Sequence, residues 1–201
     1  MPHLKPKLLV DLQGCQTRNS RHRGIGRYSL SLTQALLGLN AKSNHRFETI
    51  GLLNGAFPDA CIEVREHLSS GSNGIAYREM AADKSSGEQI APSSHVRGLA
   101  AAAAARALRP DIIHVSSLIE GYEEGAALSL YPRDIVSGAI RTATVYDLIP
   151  LVFSGKYLSD RDDGAWYRGA IAHYASFDLL FAISEATRRV LIEHLGIDPD
   201  R

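Results

Sequence analysis

Six short apolar runs, each bounded by turn residues, punctuate the chain at Lys7 to Gln13, Phe47 to Leu53, Gly74 to Glu79, Asp111 to Ser116, Thr142 to Ile149 and Phe177 to Ser184. Runs of this length predict strands buried on both faces. Between them the period changes. From Gly26 to Asn40, the residues Tyr28, Leu32, Ala35, Leu36 and Leu39 recur at three- and four-residue spacing, one apolar stripe of an amphipathic helix. Further helices are predicted over Ala100 to Leu108, Trp166 to Ser176 and Glu185 to Leu195. Strands alternating with helices predict an α/β domain whose mainly parallel, doubly wound sheet carries helices on both faces, wound right-handedly. The serine- and glycine-rich stretches Ser69 to Asn73 and Asp83 to Ser94 read as surface loops, and no internal repeat interrupts the pattern.

A fold of this class binds ligands beyond the carboxyl ends of its strands, which directs attention to the segments after Gln13, Ser116, Asp147 and Ser184. Composition narrows what those ligands are. The 201 residues suit one domain with a sizeable core. Lysine plus arginine and aspartate plus glutamate both total 22, so no net field gathers a nucleic acid. Cys15 and Cys61 stand apart without zinc or disulfide spacing, which fits a reducing cytoplasm. No cluster of carboxylates or histidines has metal-ligand spacing, so no bound metal is expected. The opening apolar run is broken by Asp11 and Gln13 before an export signal or membrane span forms, which leaves only peripheral membrane contact open.

The first strand runs into GCQTRNSRHRGIGRYS, where Arg18, Arg21, His22, Arg23, Gly24, Gly26 and Arg27 precede a helix. Glycines admit close backbone approach, a helix start carries partial positive charge, and guanidiniums pair with anions. The plainer reading is a solvated basic loop with glycines at its turns. Gly24-x-Gly26-x-x-Ser29 also approaches the dinucleotide fingerprint of an NAD-type oxidoreductase. Against that stand the roughly ten residues between strand and first glycine, and a second strand ending Leu52, Leu53, Asn54 where a ribose-binding acid is expected.

The segment DLQGCQTRNSRHRGIGRYSLSLTQALL resembles the opening of the retaining, GT-B type glycosyltransferases of family 4, especially those building bacterial surface polysaccharides. DIIHVSSLIEGY, TVYDLIPLVF and DLLFAISEATRRVL agree with that family in order and spacing, so the resemblance spans nearly the whole chain. It implies that residues 1–201 form a Rossmann-like, acceptor-side domain, inactive alone, facing a C-terminal domain that lies outside this chain and holds a nucleotide-diphosphate sugar. The implied acceptor is a saccharide or lipid-linked saccharide, the implied donor sugar mannose, and the implied location the cytoplasm, at the inner face of the membrane. No cofactor is expected in this half.

The resemblance sets Gly24, Ile25, Gly26 and Arg27 against the donor diphosphate, and Arg23, Glu120, Gly121 and Ser184 towards acceptor or sugar. It marks Tyr146 and Asp147 as the catalytic candidates. The family often carries histidine where this chain has Tyr146, and tyrosine hydrogen-bonds a hydroxyl but does not carry protons at neutral pH. Plainer readings accompany several of these residues: Asp147 capping the turn into Ile149 and Pro150, Ser184 as a helix N-cap, and His114 as a hydrogen-bonded core residue. Glu185 and Glu193 reproduce the family's glutamate spacing by count, but in an amphipathic helix without the glycine-rich lead of a donor site. A noncatalytic docking module with the same fold is the remaining alternative.

Overall fold

The computed structural model describes residues 5–42, 47–69, 75–80, 93–122 and 125–201. Its strands are β1 (Lys7–Asp11), β2 (Glu48–Asn54), β3 (Ile75–Met80), β4 (Ile112–Val115), β5 (Ile140–Val145) and β6 (Leu179–Ala182). They form a sheet in the order β3-β2-β1-β4-β5-β6, and every described pair is parallel. The helices are α1 (Gly24–Lys42), α2 (Pro58–Ser69), α3 (Ser94–Leu108), the single turns α4 (Ile149–Val152) and α5 (Ser154–Tyr157), α6 (Arg161–Ala172) and α7 (Glu185–Leu195). None of the described helices is long and apolar enough to cross a membrane.

The two faces of the sheet are covered by different helices. Leu9, Ile113, Val115, Ala143 and Val145 pack with Ala101, Ala102 and Ala105 of α3, Tyr167 and Ile171 of α6, and Leu191 of α7. Leu8, Val10 and Leu53 face the other way, onto Cys61, Val64 and Leu68 of α2, with Leu30 and Leu36 of α1 against them. A doubly wound α/β domain is thus the observed fold. Caps explain where two helices begin: Asp160 accepts from the amides of Asp162 and Asp163 at 2.9 and 3.0 Å, and the Ser184 hydroxyl accepts from Thr187 at 3.1 Å.

Several expectations shift. The predicted helix Glu185 to Leu195 is α7 with the same bounds, whereas α3 begins at Ser94, ahead of Ala100, and α6 at Arg161, ahead of Trp166, with a 3-10 turn over His173–Ser176 after it. α2 lies where no helix was predicted, because Asp59, Arg65 and His67 dilute its apolar stripe. The run Thr142 to Ile149 is a strand only to Val145; Asp147 then turns the chain, its carboxylate accepting from Ile149 N at 3.3 Å. Phe177 to Ser184 is not buried on both faces. β6 ends the strand order, so Leu179, Phe181 and Ile183 stay exposed. The loop stretches Ser69 to Asn73 and Asp83 to Ser94 lie mostly outside the described residues, except that Ser69 closes α2 and Ser94 opens α3.

His114 is a core residue, as its apolar setting suggested. Its Nδ1 lies 2.9 Å from the Thr142 hydroxyl and its Nε2 3.2 Å from the Thr144 hydroxyl. Burial lowers its pKa to about 4. Between that value and the ordinary 6.5 the unfolded chain binds the extra proton, so this contribution to stability is lost as pH falls through that window. Asp11, whose carboxyl burial raises, titrates in the opposite sense. Comparing denaturation midpoints of the wild type and His114→Asn from pH 7.5 to 4.5 isolates the imidazole. The stability gap between them is expected to narrow by on the order of 2–3 kcal/mol as pH falls.

Candidate functional site

The strand order reverses direction between β1 and β4, and the connections leaving their carboxyl ends meet there. The β1 connection is bolted down before it reaches α1. Gln13 donates to Ala127 O at 2.7 Å, while its Oε1 accepts from Ala127 N and Asn54 Nδ2, each at 2.7 Å. Gln16 closes a pair with the Asn54 backbone, accepting at 2.8 Å and donating at 3.1 Å. Asp11 accepts from the Tyr131 hydroxyl at 2.6 Å and from Gln13 N at 2.9 Å. These side chains are buried, so each amide or carboxylate leaving its partner forfeits a bond that water does not replace.

Glu120 is the centre of the next layer. It sits in a 3-10 turn after β4, Ile119–Tyr122, and is only 5% exposed. Thr17, Ser20 and Ser117 all donate to its carboxylate, the two serines at 2.8 Å. A buried carboxylate is tolerable only with such donors. Glu120 therefore ties the β1 connection to the β4 connection.

The same connection then climbs into α1 with very little clearance. A Cβ on Gly26 would lie 2.4 Å from Arg21 O and 2.6 Å from Ser20 O, a contact that real side chains do not make. Gly26 N–H donates to Ser20 O at 3.0 Å. Gly26, expected to face a diphosphate, is thus a packing residue whose amide is already used. Gly24 and Ile25 differ: they open α1, where the first N–H groups have no carbonyl partner within the helix. Arg23 and Arg27 are exposed beside them.

Tyr146, just past β5, braces this first turn from beneath. Its hydroxyl shares a 3.0 Å hydrogen bond with Ser29 and lies 3.4 Å from Ile25 O, and its ring meets Tyr28 edge-on at 5.7 Å. Burial pushes its phenol well above the ordinary tyrosine range, so it holds its proton. The geometry makes Tyr146 a support for α1. Asp147 is exposed, and its carboxylate caps the turn to Ile149, as the plainer reading had it.

Between these elements and α6 opens a cavity of about 410 Å³. Ser20 and Ile25 line it from the β1 connection, Glu120 and Tyr122 from the β4 connection, and Pro150 from the turn after β5. The far wall is Tyr157, Asp163, Trp166 and Tyr167. Tyr122 donates to Asp163, which raises the Tyr122 pKa, and its ring lies 4.9 Å from that of Trp166 at 57°. Burial, with Asp147 nearby, pushes the Tyr167 phenol up to about 12. Among the described residues, no group of three or more His, Cys, Asp or Glu side chains could hold a metal ion.

Residues 63–201 match the sequence profile of Glycosyltransferase Family 4. The chain belongs to that family. A serotype-specific mannosyltransferase WbdA of Escherichia coli is 32% identical over 208 aligned positions, which take in 96% of this chain and 23% of that protein. Another Escherichia coli protein of the same name is 30% identical, over 75% of this chain and 19% of its own length. The chain thus spans roughly a quarter or less of the length of the curated relatives it matches.

For this family 4 chain, three of the four segments that carried the resemblance converge on one cavity: Ile25 from the first, Glu120 and Tyr122 from the second, Pro150 from the third. The fourth does not. Ser184 caps α7 and borders a separate hollow of about 580 Å³ beside β6, with Tyr28 and Arg188. Gly121 also departs from expectation, because a Cβ there would meet Leu128 at 3.1–3.2 Å, so it packs against the interior and not towards a sugar. Glu185 and Glu193 are exposed on α7, and Glu185 pairs with Arg188 at 3.6 Å. Asn54 is consumed by Gln13 and Gln16, which leaves the dinucleotide alternative without its ribose partner.

Thr17, Ser20, Ser117 and the Tyr122–Asp163–Trp166 wall were not singled out from sequence. The polar run QTRNS after an apolar strand was the available signal for the first two. The tight Gly26 site yields a direct test. Gly26→Ala is expected to lower unfolding free energy by about 1–3 kcal/mol, the ordinary cost of overpacking. Gly24→Ala, whose Cβ would meet nothing within 4 Å, is expected to be neutral or slightly stabilising in urea denaturation.

Proposed function

We propose that this domain is the acceptor-facing half of a retaining, GT-B type mannosyltransferase that uses a nucleotide-sugar donor to build a bacterial surface polysaccharide. The observation that carries the reading is the convergence of Ile25, Glu120, Tyr122 and Pro150 on one cavity at the carboxyl rim of the sheet. That rim is where open α/β sheets take their ligands. The mannosyl assignment follows the activity named for the two Escherichia coli relatives. A second domain supplies the nucleotide-sugar, and the two close over the acceptor.

In this reading the rim has two functional edges. The edge at the start of α1 meets the donor diphosphate: the first-turn amides of Gly24 and Ile25, the positive end of the helix and the exposed Arg23 and Arg27 stabilise charge that develops as the nucleoside diphosphate departs. Gly26 and Tyr146 act indirectly, by holding that first turn at a fixed height above β1 and β5. Glu120 has the same character, keeping the cavity wall in place through Thr17, Ser20 and Ser117. The cavity edge receives the acceptor saccharide.

The assay is sugar transfer by a protein carrying both this domain and its nucleotide-sugar-binding domain. Arg27→Ala is expected to lower kcat/KM about tenfold or more, in line with removing one donor to a developing anion. Unaltered turnover removes Arg27 from the donor-facing edge.

A further inference from the structure

The cavity at the rim differs in chemistry from the basic loop beside it. Among the described residues its lining holds no lysine or arginine, while Glu120 and Asp163 both contribute to it. Asp160 and Asp162 add to the negative field felt at Tyr122. Helix capping accounts for the presence of three aspartates at the start of α6, since Asp160 caps the helix and a first turn favours carboxylates. It does not account for the aromatic wall beside them. Tyr122 is 56% exposed, Trp166 is half-buried, and their rings stand 4.9 Å apart at 57°, with Tyr157 exposed across the opening.

A further feature points to a ligand. Tyr167 lines the cavity and is 9% exposed, yet its buried hydroxyl finds no hydrogen-bond partner among the described residues. Buried polar groups in folded proteins are ordinarily paired, and an unpaired one calls for a partner from outside the chain, a water or a ligand group. The lining thus combines apolar ring faces, carboxylate acceptors and an unsatisfied hydroxyl. Sugars match that set: their C–H faces lie on aromatic rings, and their hydroxyls donate to carboxylates. A phosphorylated or carboxylated sugar matches it badly, because its charge meets Asp163 and Glu120 at close range, and among the described lining residues no lysine or arginine offsets them.

We infer that the Tyr122–Trp166–Asp163 wall is a selectivity element that accepts a neutral saccharide as the terminal acceptor unit and rejects anionic ones. The inference rests on the reading of this domain as acceptor-facing. Within it, Trp166 and Tyr122 supply the stacking surface, Asp163 orients sugar hydroxyls while its hydrogen bond from Tyr122 keeps the ring in place, and Tyr167 bonds a sugar oxygen at the buried end. The two edges of the rim then sort by charge: the α1 edge takes the anionic donor and the α6 edge the uncharged acceptor.

Trp166 is the single tryptophan of the chain, so its fluorescence reports on this wall directly. The 201-residue chain is titrated with α-mannotriose and with the same trisaccharide phosphorylated on its terminal unit. The neutral sugar is expected to give a saturable change, with the phosphorylated one at least tenfold weaker at pH 7. Asp163→Asn is expected to bring the two within about threefold, and Tyr122→Leu to weaken the neutral sugar about tenfold. Both positions are exposed, and unchanged thermal midpoints verify that the variants fold. Equal or tighter binding of the phosphorylated sugar overturns the selectivity. So does a silent Trp166 in a chain that still supports transfer when joined to its donor-binding domain, and in that case the acceptor-facing reading survives. If the joined protein transfers no sugar from any nucleotide donor, both fall together.

Discussion

A single buried carboxylate organises the rim of this domain. Glu120 lies where the β1 and β4 connections meet, and without Thr17, Ser20 and Ser117 its charge would face an interior that cannot solvate it. Those three hydroxyls come from both connections, so satisfying one charge fixes two loops at once. Once Thr17 and Ser20 are held, the chain has only a narrow path into α1. That path runs so close to the backbone of Ser20 and Arg21 that residue 26 has no room for a side chain.

The consequences extend outward in both directions. Beneath the first turn of α1, the Tyr146 hydroxyl meets Ser29 and Ile25 O, which sets the height of the helix above the end of β5. On the other side, Gln13, Gln16 and Asn54 knit the ends of β1 and β2 to the segment around Ala127. A loop rich in arginine and glycine is therefore rigid for half its length. Its exposed residues, Arg23 and Arg27 among them, ride on a base tied down by Gln13, Gln16, Thr17 and Ser20. Such preorganisation is what an anion-facing edge requires, since charges that need not rearrange stabilise a developing anion more effectively.

The β6 edge of the sheet is less well covered. β6 closes the strand order and leaves Leu179, Phe181 and Ile183 in solvent on one face, whereas α7 and the residues after it cover the other. His114 marks the boundary of the well-covered region: its ring bonds Thr142 and Thr144 on β5 and meets Phe181 on β6 edge-on at 5.8 Å. Its two ring nitrogens are paired by hydroxyls of the neighbouring strand, and the edge-on contact with Phe181 carries the core out to the edge.

Periodicity alone determined most of the architecture. Runs such as Lys7 to Gln13 and Asp111 to Ser116 admit few alternatives to buried parallel strands, because burial on two faces leaves a direct imprint on residue order. The spacing from Tyr28 to Leu39 marked a helix but not its buried face: α1 buries Ser29, Thr33 and Leu37, while Tyr28, Ala35 and Leu39 stay exposed. Local capping was equally legible at Asp147 and Ser184, where one side chain and the next few amides decide the outcome. The roles of Gly26, Gly121 and Glu120 were not legible, because each depends on atoms brought from elsewhere in the chain: Ser20 and Arg21 backbone, Leu128, and a trio of hydroxyls from two connections. α2 escaped notice for a related reason, since its charged positions blur a stripe that only the sheet beneath it reveals. The Tyr122–Trp166–Asp163 wall joins a strand connection to a helix more than forty residues later. Residue order specified which elements form and which rim they open onto, through hydrophobic burial; tertiary packing alone decided which glycine yields space, which carboxylate braces and which side chains share a cavity.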